Sequence, residues 1–274
     1  MNELQKCELE ILIEVDRICK KNNISYSLDG GTLLGAIRHK GFIPWDDDVD
    51  IMMPLKDYNK FLEVCKSELG SDYFLQTAFN DFGGSLYAKI RKNNTTAMED
   101  WTKNIKMHKG VWIDIFPTVG YKGEKYLQKC LASAAVADWL LGDCYYKDNF
   151  SSPNFKIRLL SKFLSKIPLS FRRFIAKKVT KKIFVDSKGC EYSYNVWTAS
   201  AKLGAKFRFD SSIQGEYTTA KFEGYDFSIT KKYDEYLKTL YGDYMQLPPE
   251  DKRTSGHNII VLDLENNYTK YENN

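Results

Sequence analysis

Apolar residues open the chain at three- and four-residue steps: Leu4, Cys7, Ile11, Val15 and Ile18. That is the period of a helix buried along one face, here over residues 3–20. Residues 24–28 then alternate like a short strand, closed by Asp29-Gly30-Gly31. Thr32 is placed to cap a helix over 33–38. Gly41 and Pro44 interrupt the chain ahead of Asp46-Asp47-Asp48-Val49-Asp50-Ile51. Pro54 opens an amphipathic helix with Tyr58, Phe61, Leu62 and Cys65 on one side. Residues 87–90 and 111–116 read as further strands. The order strand, helix, strand, helix, strand, strand predicts an α+β protein built on a mixed sheet with helices.

Past about residue 121 the pattern turns largely helical, with β-like passages at 191–198 and 217–227. The weakly polar run CLASAAVADWLLG, 130–142, contains Asp138 and is too short to cross a bilayer, so it reads as a buried helix. From Lys156 to Lys182 there are ten Lys or Arg, and no acid occurs between Asp148 and Asp186. Pro168 divides this stretch into two short helices. In the second, Phe171, Phe174, Ile175, Val179 and Ile183 recur at helical spacing among Arg172, Arg173, Lys177, Lys178, Lys181 and Lys182. This basic amphipathic pattern predicts peripheral contact with anionic lipid through 156–184. No repeat or low-complexity linker divides the chain. A single domain over 1–274 is expected, with a catalytic core at about 24–120 and a helical and C-terminal motif region at about 121–274.

Composition narrows this little. The 274 residues are 43% hydrophobic and 28% charged, ordinary for a globular protein, and the net charge of +4 does not point to nucleic acid. The N-terminus is charged from its third residue, unlike a secretory signal. The six cysteines form no CxxC pair, which favours reduced thiols in the cytoplasm over disulfides or a zinc site.

The acid run carries the chemistry. On a strand, Asp48 and Asp50 share one face while Val49 and Ile51 take the other, and Asp46 shares the acids' parity if the strand starts that early. Asp114, flanked by Ile113 and Ile115, is placed in the same way on the later strand. Paired carboxylates fixed on rigid strands suit Mg²⁺, with Mn²⁺ able to substitute. A third carboxylate allows two ions roughly 3.5–4 Å apart. A solvated acidic turn fits poorly, because the apolar alternation is clean. A calcium loop fails, because Ile51 and Asp57 stand where such a loop needs Gly and Glu. The turn Gly30-Gly31-Thr32-Leu33-Leu34-Gly35 offers backbone amides to a phosphate, but Ala36 after Gly35 excludes a Walker A loop. Arg38, His39 and Lys89 are the candidate cations for a diphosphate.

The segment from Leu28 to Ile51, LDGGTLLGAIRHKGFIPWDDDVDI, resembles the signature of the LicD family, the bacterial phosphocholine transferases related to fukutin. Residues 112–117, WIDIFP, are similar to its second acidic strand. Residues 241–253, YGDYMQLPPEDKR, with His257 beyond them, are similar to its C-terminal motif. The resemblance implies a nucleotidyltransferase-like fold. It also implies transfer of a phospho-alcohol from a CDP-activated donor such as CDP-choline to a sugar hydroxyl on a lipid-linked glycan precursor of teichoic or lipoteichoic type, or on another cell-surface glycan. Asp48, Asp50 and Asp114 would then be catalytic and metal-binding. Gly31, Thr32, Arg38, His39, Lys89, Asp243 and His257 would bind substrate, with anchoring of a loop an equal alternative for the last two. Trp101, Trp112, Tyr192, Tyr194 and Trp197 are candidates for an aromatic face under choline. An ordinary nucleotidyltransferase releasing pyrophosphate from an NTP, or a non-catalytic glycan- or nucleotide-binding protein, are the alternatives. The enzyme is expected in the cytoplasm, at the inner face of the membrane.

Overall fold

The computed structural model describes residues 1–81, 86–141, 154–181, 190–195 and 208–272. Helix α1 (Glu3–Asn22) starts at a capping box between Asn2 and Gln5 and buries Leu4, Cys7, Ile11, Val15 and Ile18, as the period predicts. Strand β1 is Ser27–Leu28 alone. Ile24 and Tyr26 are buried before it, but ladder pairing begins only where β2 lies opposite. Helix α2 (Gly30–Arg38), strand β2 (Asp50–Pro54) and helix α3 (Leu55–Glu68) follow. Next come β3 (Tyr73–Gln76), β4 (Ala88–Lys92), β5 (Thr96–Glu99) and the ten-residue β6 (Trp112–Tyr121).

The main sheet runs β1-β2-β6-β4-β3, and β6 is its axis. Its first half pairs antiparallel with β4, while β2 runs parallel along its other edge. Its far end takes β7 (Tyr192–Asn195), which pairs in turn with β8 (Arg208–Asp210). Val49, Ile51, Ile113 and Ile115 are fully buried and lie in one apolar core with α1 and α3.

Helices α4 (Glu124–Leu141), α5 (Phe155–Ser165) and α6 (Leu169–Thr180) make up the helical addition. They share a second core in which Leu127, Leu131 and Ala134 meet Leu164 and Ala176. The chain then returns to the first core through the hairpin of β9 (Tyr217–Phe222) and β10 (Tyr225–Thr230) and through helix α7 (Tyr233–Tyr241). It ends on β11 (Ile259–Asp263), paired with β5 across some 160 residues of sequence, as in Asp263 opposite Thr96. No helix among the described residues is long and apolar enough to cross a membrane.

Candidate active site

Three elements end at one place and bring acids with them. The parallel register sets Asp50 directly beside Asp114. Because Ile51, Ile113 and Ile115 face the core, the pleat turns both carboxylates to the opposite face. Asp48 stands in the irregular run just ahead of β2, before the buried Val49. The strand does not reach back to Asp46, since residues 46–49 are irregular. Asp46 instead enters through a turn in which its N–H donates to the Ile43 carbonyl at 2.9 Å. Gln5 of α1 clamps that turn, its Nε2 donating to the carbonyls of Asp46 at 2.9 Å and Ile43 at 3.4 Å.

The glycines let α2 begin against these acids. The helix cap is Asp29, not Thr32: Asp29 Oδ1 accepts from Gly30 N at 2.8 Å and from the Tyr236 hydroxyl at 2.6 Å. Thr32 lies within the first turn, buried, and its hydroxyl oxygen accepts the Asp50 N–H at 2.8 Å. That bond fixes the start of β2 to the start of α2. Gly30 has φ +51°, and a Cβ there would stand 3.4 Å from Asp50 Oδ2. At Gly31 a Cβ would stand only 2.6 Å from Asp46 Oδ2. Gly30 is required for its left-handed backbone, since 3.4 Å is ordinary contact, and Gly31 for the close approach of Asp46. The positive end of α2, with first-turn amides that lack helical acceptors, thus abuts the carboxylates.

Burial and mutual repulsion dominate the electrostatics. Asp46 is pushed up to about 7 by burial and by the charges of Asp48 and Asp47, and it shares a hydrogen bond with Asp48. Burial, with Asp114 and Asp47, raises Asp48 against the pull of His257. Burial, Asp48 and Asp114 hold Asp50 well above the usual carboxylate range. Glu8 of α1 joins them: it is only 2% exposed, and burial with Asp48, Asp47 and Asp46 raises it strongly. Glu8 Oε2 and Asp50 Oδ1 are buried without a hydrogen-bond partner. Such orphaned oxygens are costly unless something positive sits beside them.

Two cations already serve the cluster. Lys89 Nζ pairs with Asp114 Oδ1 at 2.5 Å and lies 4.9 Å from the Trp112 ring, so it offsets an acid rather than standing open to a ligand. Asp47 turns toward the C-terminal segment. It accepts from Gly256 N at 3.0 Å, from His257 N at 3.2 Å and, through Oδ1, meets His257 Nδ1 at 3.2 Å. That pairing lifts His257 to about 9 against the opposing effect of burial. His257 therefore anchors its loop to the acid turn and adds a positive charge behind Asp48. Trp112, edge-on to His257 at 5.4 Å, braces it.

One oxygen from each of Asp46, Asp47 and Asp48 falls within 4.8 Å of the others. Asp50 lies outside that trio, but its charge is opposed by Asp48 and Asp46 and its Oδ1 is orphaned; the acids present are hard, anionic and crowded, and they fit a divalent cation of the magnesium type. Beside it opens a cavity of about 760 Å³ lined by Gly31, Arg38, Trp45, Asp46, Tyr241, Asp243 and Arg253. That volume suits a nucleotide-sized ligand. Arg38 both lines it and ties it shut at the back, its Nη1 donating to the carbonyls of Tyr244 at 2.7 Å and Gln246 at 3.2 Å. His39 stands 6.3 Å from Trp45, edge to face.

Of the residues named from the sequence, Gly31, Arg38 and Asp243 line the cavity, Asp48, Asp50, Asp114, Lys89 and His257 belong to the acid cluster beside it, Thr32 ties β2 to α2, and His39 does not line the cavity. The sequence reading missed Glu8, Asp29, Tyr241 and Arg253. Glu8 did leave a signal, as an acid on the apolar stripe between Leu4 and Ile11. The aromatic candidates fare differently. The Trp112 ring is flanked by Lys89 and Arg91, and Trp101 does not line the cavity. The side chains of Tyr192 and Tyr194, and all of Trp197, lie outside the described residues. Trp45, with Arg253 at 5.4 Å from its ring, and Tyr241 are the aromatics actually at the cavity.

Residues 23–139 match the family model described as LicD/FKTN/FKRP, nucleotidyltransferase domain. The chain is 32% identical to the lipopolysaccharide cholinephosphotransferase LicD of Haemophilus influenzae, over 94% of this chain and 96% of that protein. It is also 31% and 30% identical to the ribitol 5-phosphate transferase FKRP of mouse and human, over 39% of this chain and 24% of each of those proteins.

Proposed function

Since the chain belongs to the LicD family and is a phosphotransferase, we propose that it moves phosphocholine from CDP-choline to a sugar hydroxyl of a teichoic or lipoteichoic acid precursor or of another cell-surface glycan. The observation that carries this is the convergence of Asp46, Asp48, Asp50 and Asp114 on the N-terminus of α2, beside a cavity that bears Arg38 and Arg253. Asp48 and Asp50 would hold Mg²⁺, with Asp46 at hand. The ion supplies charge stabilisation for a diphosphate. Arg38, Arg253 and the first-turn amides at Gly31 and Thr32 bind and orient the donor phosphates. The acceptor oxygen attacks the phosphorus that bears the alcohol, in line with the departing CMP oxygen. One P–O bond forms and one breaks. Asp114 takes the hydroxyl proton or completes the ion's shell. Lys89 keeps Asp114 placed through their ion pair, and His257 holds the C-terminal wall against the acid turn.

The alcohol follows the full-length relative, whose name specifies choline phosphate; its name gives lipopolysaccharide, another cell-surface glycan, as the acceptor. The shorter match to ribitol 5-phosphate transferases keeps ribitol as the second choice. Incubation with CDP-choline, CDP-ribitol, CDP-glycerol and CDP-ethanolamine, with Mg²⁺ and a lipid-linked glycan acceptor, tests both. CMP release should be fastest with CDP-choline. Pyrophosphate release from an NTP in its place would overturn the reading in favour of ordinary nucleotidyl transfer.

A further inference from the structure

Helices α5 and α6 invert the usual rule for a surface helix. Their inward faces mix apolar and polar residues: Ser161 and Leu164 on α5, and Arg172, Ala176 and Thr180 on α6, are buried. Arg172 is fully buried, its Nη1 donating to the Leu140 carbonyl at 3.0 Å and its Nε to the Ile167 carbonyl at 3.2 Å. It does not belong to a solvated basic face, contrary to the sequence pattern. Arg173 also turns in, donating to the Asp81 carbonyl at 2.9 Å. The outward faces instead carry Phe155, Leu159, Leu160 and Phe163 on α5 and Phe171 and Phe174 on α6, each between 45% and 65% exposed. Lysines stand among them. Lys156, Lys162, Lys166, Lys177, Lys178 and Lys181 are exposed, and none has an ion-pair partner among the described residues. Lys178 Nζ sits 4.4 Å from the Phe174 ring, which stacks on Phe171 at 6.4 Å.

We propose that the outward faces of α5 and α6 form a docking surface for an anionic lipid bilayer. Large apolar side chains interleaved with unpaired cations match the one partner that offers negative headgroups above an apolar interior. Phosphates alone, as in nucleic acid, reward the lysines but give the phenylalanines nothing to enter. Neither helix can cross a membrane, so attachment is from the side, with aromatic and leucine side chains at the acyl boundary and lysine stems reaching up to the headgroups. The inference stands apart from the transfer reaction, since none of these residues touches the acid cleft.

The test is co-sedimentation of the full chain with vesicles of phosphatidylcholine alone and of phosphatidylcholine with about a third phosphatidylglycerol, at about 0.1 M salt. Binding should require the anionic lipid. It should weaken at least about tenfold for Lys162→Glu, Lys166→Glu, Lys177→Glu and Lys178→Glu combined, and by a similar factor for Phe155→Ser, Leu159→Ser, Phe163→Ser and Phe171→Ser combined. Melting curves and CMP release without vesicles should match the parent for both, showing that they fold. Failure to bind anionic vesicles overturns the proposal, as does binding indifferent to both sets of changes. Light scattering that shows a stable dimer dispersed by the serine variant would assign the surface to a second copy of the chain instead.

Discussion

In the cleft, five carboxyl groups, those of Glu8, Asp46, Asp48, Asp50 and Asp114, crowd against one helix end, and two of their oxygens are buried with no partner. Along α5 and α6, six large apolar side chains stand in solvent with lysines between them. Each region sets the wrong kind of surface in the wrong place, and each is held there by neighbours packed in the ordinary way. The cleft rests on Val49, Ile51, Ile113 and Ile115, all fully buried, and the helices rest on Leu164 and Ala176. A region that stability alone would not retain, supported by one that it would, is the mark of a surface kept for a ligand. In the cleft two buried acid oxygens lack a partner, and on the helix pair the apolar side chains lack cover.

The comparison breaks most sharply at Asp50. If its carboxylate completes a cation site, Asp50→Asn should lower transfer by more than about 100-fold, since even groups that only support a metal's ligands cost 10–100-fold when lost. The same change removes a buried charge from a repelling cluster. The metal-free variant should therefore melt at or above the parent temperature, and Mg²⁺ should raise its melting point less than the parent's. A variant that melts early and binds Mg²⁺ as before would show Asp50 to be structural.

The pH dependence sharpens the same side. Asp46 titrates near 7 when folded and near its ordinary value, about 4, when unfolded. A raised carboxyl contributes stability that is full below the unfolded value and is lost as pH rises to the folded one. Glu8 and Asp50 shift in the same direction. His257, lifted to about 9, contributes below its unfolded value, about 6.5, and fades only as pH climbs toward 9. The metal-free protein should thus lose melting temperature steadily from about pH 4 to about pH 7, and saturating Mg²⁺ should flatten that slope. A metal-free profile that rises over this range would mean that the acids are not held together as described.

How far this could be read from the sequence depends on how local each signal is. Asp50 and Asp114 announce themselves because apolar neighbours alternate with them on β2 and β6, while Asp48, expected on the same strand, falls in the irregular run just before it. The glycine turn is legible, but its cap is not. Asp29 and Thr32 both qualify by type, and only the approach of β2, which occupies the Thr32 hydroxyl, decides between them. The pairing of β5 with β11 leaves no trace, since neither strand alternates and their partners are remote. Asp47 looked like one more member of the acid run, until residues 256–257 arrived from across the chain to claim it. In α6 the helical period holds and Phe171 and Phe174 face outward, but Arg172 leaves the expected basic surface: it reads as surface by type, and two carbonyls under it draw it inside.

That facing gives the finest test of the comparison. If α6 buries Arg172 and displays Phe171, then Arg172→Met should destabilise by about 1–3 kcal/mol, because the Leu140 and Ile167 carbonyls lose their donor in a dry site. Phe171→Ser, one residue away, should change stability by less than about 0.5 kcal/mol, as surface changes do. The pattern expected of an ordinary amphipathic helix is the reverse, with the phenylalanine costly and the arginine free. Chemical denaturation of the two single variants separates these outcomes, and it does so without lipid. A neutral Phe171→Ser beside a costly Arg172→Met would establish that the apolar face is turned outward in the free protein, before any partner covers it.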